Sequence, residues 1–185
     1  MIEINNLTTN PVDEEFLKKT AKIVLGGEHL PKGRVVAELR SRPRKGEQER
    51  AKTLSTSSRF AGARVPEEVE LSIALVGQGR IRELNKKYLG KNRATDVMAF
   101  GQNQKPKIKN QKLNELGLGE VVICLREVKK NAKRYGTTFE KELAKVLIHG
   151  ILHLLGYDHE ESTEAAQKMQ EKEERYLSQI ISKSK

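Results

Sequence analysis

The chain of 185 residues has one cysteine and no tryptophan. A single cysteine cannot close an intramolecular disulfide, which excludes the small stapled scaffolds of secreted proteins. No apolar run approaches the ~18 residues a membrane-spanning helix needs. The opening MIEINNLTTN has neither the basic start nor the apolar stretch of a secretory signal, so a soluble, cytoplasmic protein is expected. Apolar residues are also scarce, at 36% against a charged fraction of 32%, where globular domains average about 45–50% and about 25%. The length still permits one domain with a sizeable core.

What the chain has in excess is positive charge, 35 Lys and Arg against 25 Asp and Glu. Such a surplus favours polyanionic partners, nucleic acid among them. It is unevenly spread. Residues 32–66 carry ten basic and three acidic side chains, and so hold seven of the ten surplus charges. With Ser-Arg-Pro-Arg-Lys-Gly at 41–46, Ser-Thr-Ser-Ser at 55–58 and no apolar period, this stretch reads as a flexible basic insertion. It is either a solvated tether or an arm that orders on RNA. A second basic run, Lys105 to Lys112, reads as a loop because it contains Pro106 and does not alternate.

Four segments read as strands: Ile2–Asn5, Val69–Val76, Thr95–Phe100 and Gly119–Cys124. Five read as helices. The first opens at Asn10-Pro11 and ends at Gly26-Gly27, the second runs from Ile81 to Tyr88 before Gly90, and the third spans Leu125–Tyr135. The fourth begins at Thr138, with Glu140 and Glu142 near its positive end, and runs to Gly156. The fifth covers Ser162–Ile181. It is an acidic, solvated helix bearing Glu164, Glu171, Glu173 and Glu174, docked by Met169, Tyr176, Leu177 and Ile180. The sum is an α/β or α+β domain on one small four-stranded sheet. Gly77-Gln-Gly79 lacks the third glycine of a nucleotide fingerprint. Cys124, at the end of an apolar strand, is expected to be a small buried residue, and His29 a loop residue.

Chemistry concentrates in His149-Gly-Ile-Leu-His153-Leu-Leu-Gly-Tyr-Asp-His159. His149 and His153 lie one helical turn apart and project from one face. His159 would point elsewhere on a straight helix, but Gly156 can end the helix and let the chain turn back. Three protein ligands with an open fourth position is the arrangement of catalytic zinc, although imidazole also suits nickel, cobalt, copper and iron. The residue after His149 is Gly150, so the Glu base of the His-Glu-x-x-His metalloproteases is missing. Asp158 either orients a ligand or serves as the base, or simply caps the turn.

The His149–His159 string closely resembles the signature of the YbeY family, bacterial metal-dependent endoribonucleases and rRNA maturation factors. Leu84-Asn-Lys-Lys-Tyr-Leu-Gly-Lys-Asn-Arg-Ala-Thr-Asp-Val-Met-Ala-Phe100 is similar to that family's Leu-Asn…Tyr-Arg-Gly…Pro-Thr-Asp-Val-Leu-Ser-Phe block, and Leu118–Cys124 to its Gly-Asp-Ile-x-Ile strand. The likeness covers about 69–176 and, more loosely, the first strand and helix, which makes 1–185 one domain interrupted at about 32–66. It implies a small mixed sheet with helices around it and one zinc ion held by His149, His153 and His159 in a cleft. It also implies hydrolytic cleavage of single-stranded RNA in 16S rRNA processing and ribosome quality control, alongside the small ribosomal subunit and its assembly factors. The catalytic set would be the three histidines and Asp158. Leu89 stands where the family has an Arg that faces the RNA, leaving Lys87, Lys91 and Arg93 as the candidate RNA contacts.

With four Tyr and four Phe, stacking platforms are few, and little base specificity is expected. Tyr88 and Tyr157 are the stacking candidates, or else core residues with a bonded hydroxyl. Two other functions fit the same residues: a ribosome assembly factor whose metal is structural, and a metal-dependent hydrolase of a substrate other than RNA.

Overall fold

The computed structural model describes residues 1–28, 65, 69–101, 117–160 and 162–182. Most of the basic stretch at 32–66, the run Lys105–Lys112 and His29 lie outside the described residues. Four strands, β1 (Ile2–Asn6), β2 (Glu70–Val76), β3 (Val97–Gly101) and β4 (Gly117–Cys124), form one sheet in the order β1-β2-β4-β3. The first three neighbours run parallel and β3 is antiparallel to β4, so the sheet is mixed. Five helices complete the described residues: α1 (Glu14–Gly27), α2 (Gln78–Leu89), α3 (Leu125–Tyr135), α4 (Phe139–Leu154) and α5 (Thr163–Ser182).

The central strands carry apolar residues on both faces, as strands covered on both sides must. Leu71, Ile73 and Leu75 of β2 and Val121 and Ile123 of β4 face the larger core, built with α1, α3, α4 and α5. Ala74, Val76, Val122 and Cys124 face a smaller one under α2, with Met98 and Phe100. Helix α4 is the hub of the larger core. Its Leu147, Ile148, Ile151 and Leu152 are fully buried, each contributing about 1.5–3 kcal/mol by removal from water.

Local signals set the boundaries. Asp13 caps α1 by accepting from the Phe16 amide at 3.0 Å, so that helix starts three residues after Asn10-Pro11, where a side-chain acceptor becomes available. Thr138 caps α4 in the same way through the Lys141 amide. Strand β3 begins at Val97 because Asp96 is used as a clasp: its carboxylate accepts from the Val97 amide and from Asn131 of α3. Gly27 is not a left-handed stop. A Cβ there would come within 2.5 Å of the Tyr176 hydroxyl, so the glycine lets α1 lie against α5. Cys124 is fully buried at the β4–α3 junction, and burial pushes its thiol pKa up.

Candidate metal centre

Helix α4 and the turn after it bring His149, His153 and His159 together. Leu155 closes the helix, and Gly156 takes a left-handed conformation at φ 89°. The Gly156 amide donates to His153 O and the Tyr157 amide to Leu152 O, both at 3.0 Å. These two bonds reverse the chain within three residues and return His159 to the face it would otherwise leave. The rings lie 4.6 to 5.4 Å apart by centroid. One nitrogen from each lies within 4.8 Å of the others.

This donor set can hold a metal ion. The Nε2 atoms of His149 and His153 are 3.1 Å apart, close to the roughly 3.3 Å between two nitrogens bound at 2.0–2.1 Å to one tetrahedral zinc. A ligand must also be neutral. Burial lowers the His153 pKa to about 4, and the adjacent His149 and His159 push it the same way, against the weaker pull of Asp158. At neutral pH His153 therefore presents a lone pair. Partial burial of His149 and His153 beside an exposed His159 leaves the cluster open to solvent on one side.

A carboxylate absent from the candidate set completes the arrangement. Glu173 of α5 places Oε1 2.7 Å from His149 Nδ1. A hydrogen on Nδ1 donated to this carboxylate leaves Nε2 free to face an ion, the carboxylate–histidine pairing common at metal centres. Glu173 is not one of the solvated acids of α5, since its side chain is only 15% exposed. The signal was present in the sequence: Met169, Glu173, Tyr176 and Ile180 are spaced as one helical stripe, and Glu173 is its only charged member. Asp158 spends one oxygen as a turn cap, accepting from the Glu160 amide at 2.9 Å.

Gly150 explains the missing metalloprotease base. A Cβ at this position would lie 2.7 Å from Val121 Cγ1 and 3.3 Å from Val97 Cγ2. The helix face beside His149 rests on the sheet, with no room for a carboxylate side chain.

Residues 41–181 match the sequence model of the family described as Endoribonuclease YbeY. The chain belongs to the YbeY family. Among curated proteins named Endoribonuclease YbeY, that of Thermodesulfovibrio yellowstonii is 44% identical over 110 residues, 60% of this chain and 66% of that protein. That of Thermotoga maritima is 38% identical over 113 residues, 61% and 69% of the two chains. That of Persephonella marina is 44% identical over 103 residues, 56% and 65%. These matches span about two thirds of the relatives' length. The solution structure of the Thermotoga maritima protein TM1509 superposes with a TM-score of 0.52 at 26% identity, covering 99% of this chain and 91% of that one.

Helix α2 packs on the other face of the sheet from α4. Tyr88 stacks edge-on against Phe100 at 5.0 Å, and the next residue, Gly101, pairs with Gly119, against which Leu154 of α4 packs. The C-terminal ends of α2 and α4 thus reach the same end of the β3–β4 pair from opposite faces. Lys87, Lys91 and Arg93 are exposed in and just after that end of α2. Asn85 ties down the backbone of two of them: its side-chain amide donates to Arg93 O at 2.8 Å, and its backbone carbonyl accepts from the Lys91 amide. Leu89 is partly buried against the smaller core. Of the two stacking candidates, Tyr88 is engaged by Phe100, and the Tyr157 hydroxyl by Glu28 at 2.6 Å.

Among the described residues no helix is long and apolar enough to cross a membrane.

Proposed function

We propose that this chain is a zinc-dependent endoribonuclease that cleaves single-stranded RNA during maturation of small-subunit 16S rRNA and in ribosome quality control. Its setting is the cytoplasm, and its partners are the small ribosomal subunit and its assembly factors. The observation that carries this reading is the convergence of three histidines with one open side, in a chain whose family is described as an endoribonuclease.

In this reading His149, His153 and His159 hold one zinc ion. Bound there, it would supply Lewis acidity toward a phosphoryl oxygen and toward a nucleophile. The protein's own part is to prepare and orient. His153 stays neutral because it is desolvated beside two other imidazoles. Glu173 fixes the ring of His149. Lys87, Lys91 and Arg93 hold the RNA backbone through phosphate contacts, which makes binding sensitive to salt. Asp158 lies in the turn beside His159, and its carboxylate is a candidate to accept a proton. The basic stretch at 32–66 is proposed as an insertion in a single domain, making further phosphate contacts.

Leu89 favours a second reading, an assembly factor that binds the metal without cleaving RNA, because it replaces a cation with a packed apolar side chain. One experiment separates the two. Zinc-loaded protein, purified free of contaminating nuclease, is incubated with end-labelled single-stranded RNA, beside His149→Ala and Leu89→Arg. Cleavage that is lost in His149→Ala and raised in Leu89→Arg supports the enzyme. Absence of cleavage, with ribosome binding intact in His149→Ala, establishes the assembly factor instead.

A further inference from the structure

Away from the histidines lies a second polar cluster, built around a buried carboxylate. Glu28, at the C-terminal end of α1, is 2% exposed. Its Oε1 accepts from Lys172 Nζ and from the Tyr176 hydroxyl, each at 2.6 Å. Its Oε2 accepts from the Tyr157 hydroxyl, also at 2.6 Å. Lys172 additionally lies over the Tyr157 ring, 5.1 Å from its centroid.

We propose that Glu28 is a positioning residue for the metal centre, fixing the turn that carries His159. The division of its two oxygens supports this. One binds only α5, through Lys172 and Tyr176. The other binds Tyr157, which sits between Gly156 and Asp158 and two residues before His159. A carboxylate is planar and rigid, so the two sets of bonds tie the turn to α5 at a fixed distance. Lys172 is followed directly by Glu173, the partner of His149. One turn of α5 therefore sets both His149 and the His159 turn.

A role confined to stability does not require this arrangement. Desolvating a carboxylate is expensive, and a buried ion pair is often no more stable than a packed apolar side chain. The turn, by contrast, needs an anchor. Its two backbone bonds end at Tyr157, and His159 is exposed.

The inference rests on the three-histidine reading, and its test uses metal binding in place of RNA cleavage. The full chain, stripped of metal, is titrated with Co2+ against a competing chelator, and unfolding of each variant is followed in urea. Glu28→Gln and Tyr157→Phe should each weaken cobalt binding about tenfold, the effect typical of a lost partner one step from a ligand. Tyr176→Phe, which touches only the α5 side, should lower the urea midpoint but change cobalt binding by less than about twofold. In a His159→Ala background, Glu28→Gln should add less than about twofold, since its route to the metal is gone. Cobalt binding unchanged in both Glu28→Gln and Tyr157→Phe overturns the proposal. So does an equal loss with and without His159, which would mark Glu28 as merely structural. If Glu28→Gln does not fold, Tyr157→Phe decides the matter, because it keeps the ring and removes only the hydroxyl. Failure of the unaltered chain to bind cobalt overturns the three-histidine reading and this proposal with it.

Discussion

Glu173 Oε1 lies 2.7 Å from Nδ1 of His149, although 24 residues separate the two. The contact joins α5 to α4 and fixes the plane in which His149 can offer Nε2. Replacing Glu173 by Gln keeps the shape and removes the charge, and replacing it by Ala removes both. Zinc affinity should fall by about 10–100-fold in Glu173→Ala and by less in Glu173→Gln. Chelator competition measures this directly, and equal affinity in all three proteins would show that His149 is oriented without Glu173.

Gly150 bears on stability in place of chemistry. A Cβ there would sit 2.7 Å from a methyl of Val121 in a strand that is fully buried at that point. Overpacking of this kind typically destabilises by 1–3 kcal/mol. Gly150→Ala should lower the urea midpoint accordingly, while pairing it with Val121→Ala should restore much of the loss. A Gly150→Ala protein as stable as the parent would mean that α4 can lift off the sheet at no cost.

The turn after α4 depends on Gly156, whose φ of 89° an L side chain rarely adopts. Substitution by Ala should cost about 1–2 kcal/mol. It should also weaken metal binding although all three histidines are retained, because relief of the strain displaces His159. Metal stoichiometry and affinity of Gly156→Ala, compared with a parent of equal helical content, check this. Affinity unchanged would indicate that His159 is placed by Tyr157 alone.

Glu28 gives the fold an acid-side pH dependence. Burial by itself would raise its pKa, but bonds from Lys172, Tyr157 and Tyr176 outweigh burial and hold it below the usual carboxylate range. The unfolded chain therefore takes up the proton first as pH falls. Stability from Glu28 is fully present above about pH 4.5 and is lost below it, with a slope of up to about 1.4 kcal/mol per pH unit for the one proton concerned. Urea unfolding of the metal-free chain between pH 6 and 3 should show this decline, and Glu28→Gln should flatten it. Parallel curves for the two proteins would show that the decline comes from other groups.

Much of the architecture was legible without coordinates, because it rests on local rules. Alternation marks Glu70–Val76, and the apolar content of the His149 helix marks it as central. Where two signals competed, the residue with a side-chain acceptor decided the boundary. Asp13 starts α1, and Asp96 delays β3 to Val97. The spacing of His149 and His153 and the position of Gly156 foreshadow the cluster, since both express helix geometry over one or two turns.

The amino-acid sequence by itself determined the elements, the three histidines and the turn that reunites them, because those depend on neighbours within about ten residues. Only the tertiary structure decided which carboxylates matter. Glu173 is one of several acids on α5, and Glu28 lies 129 residues from Tyr157 and 148 from Tyr176. Their roles arise from which face α5 turns toward α4 and where α1 ends against it. That packing is set by apolar burial across the whole core: the stripe on α5 marks Glu173 as facing inward, but no local pattern names the partner it meets. The same holds for Gly150, whose meaning appears only when Val121 is found beneath it.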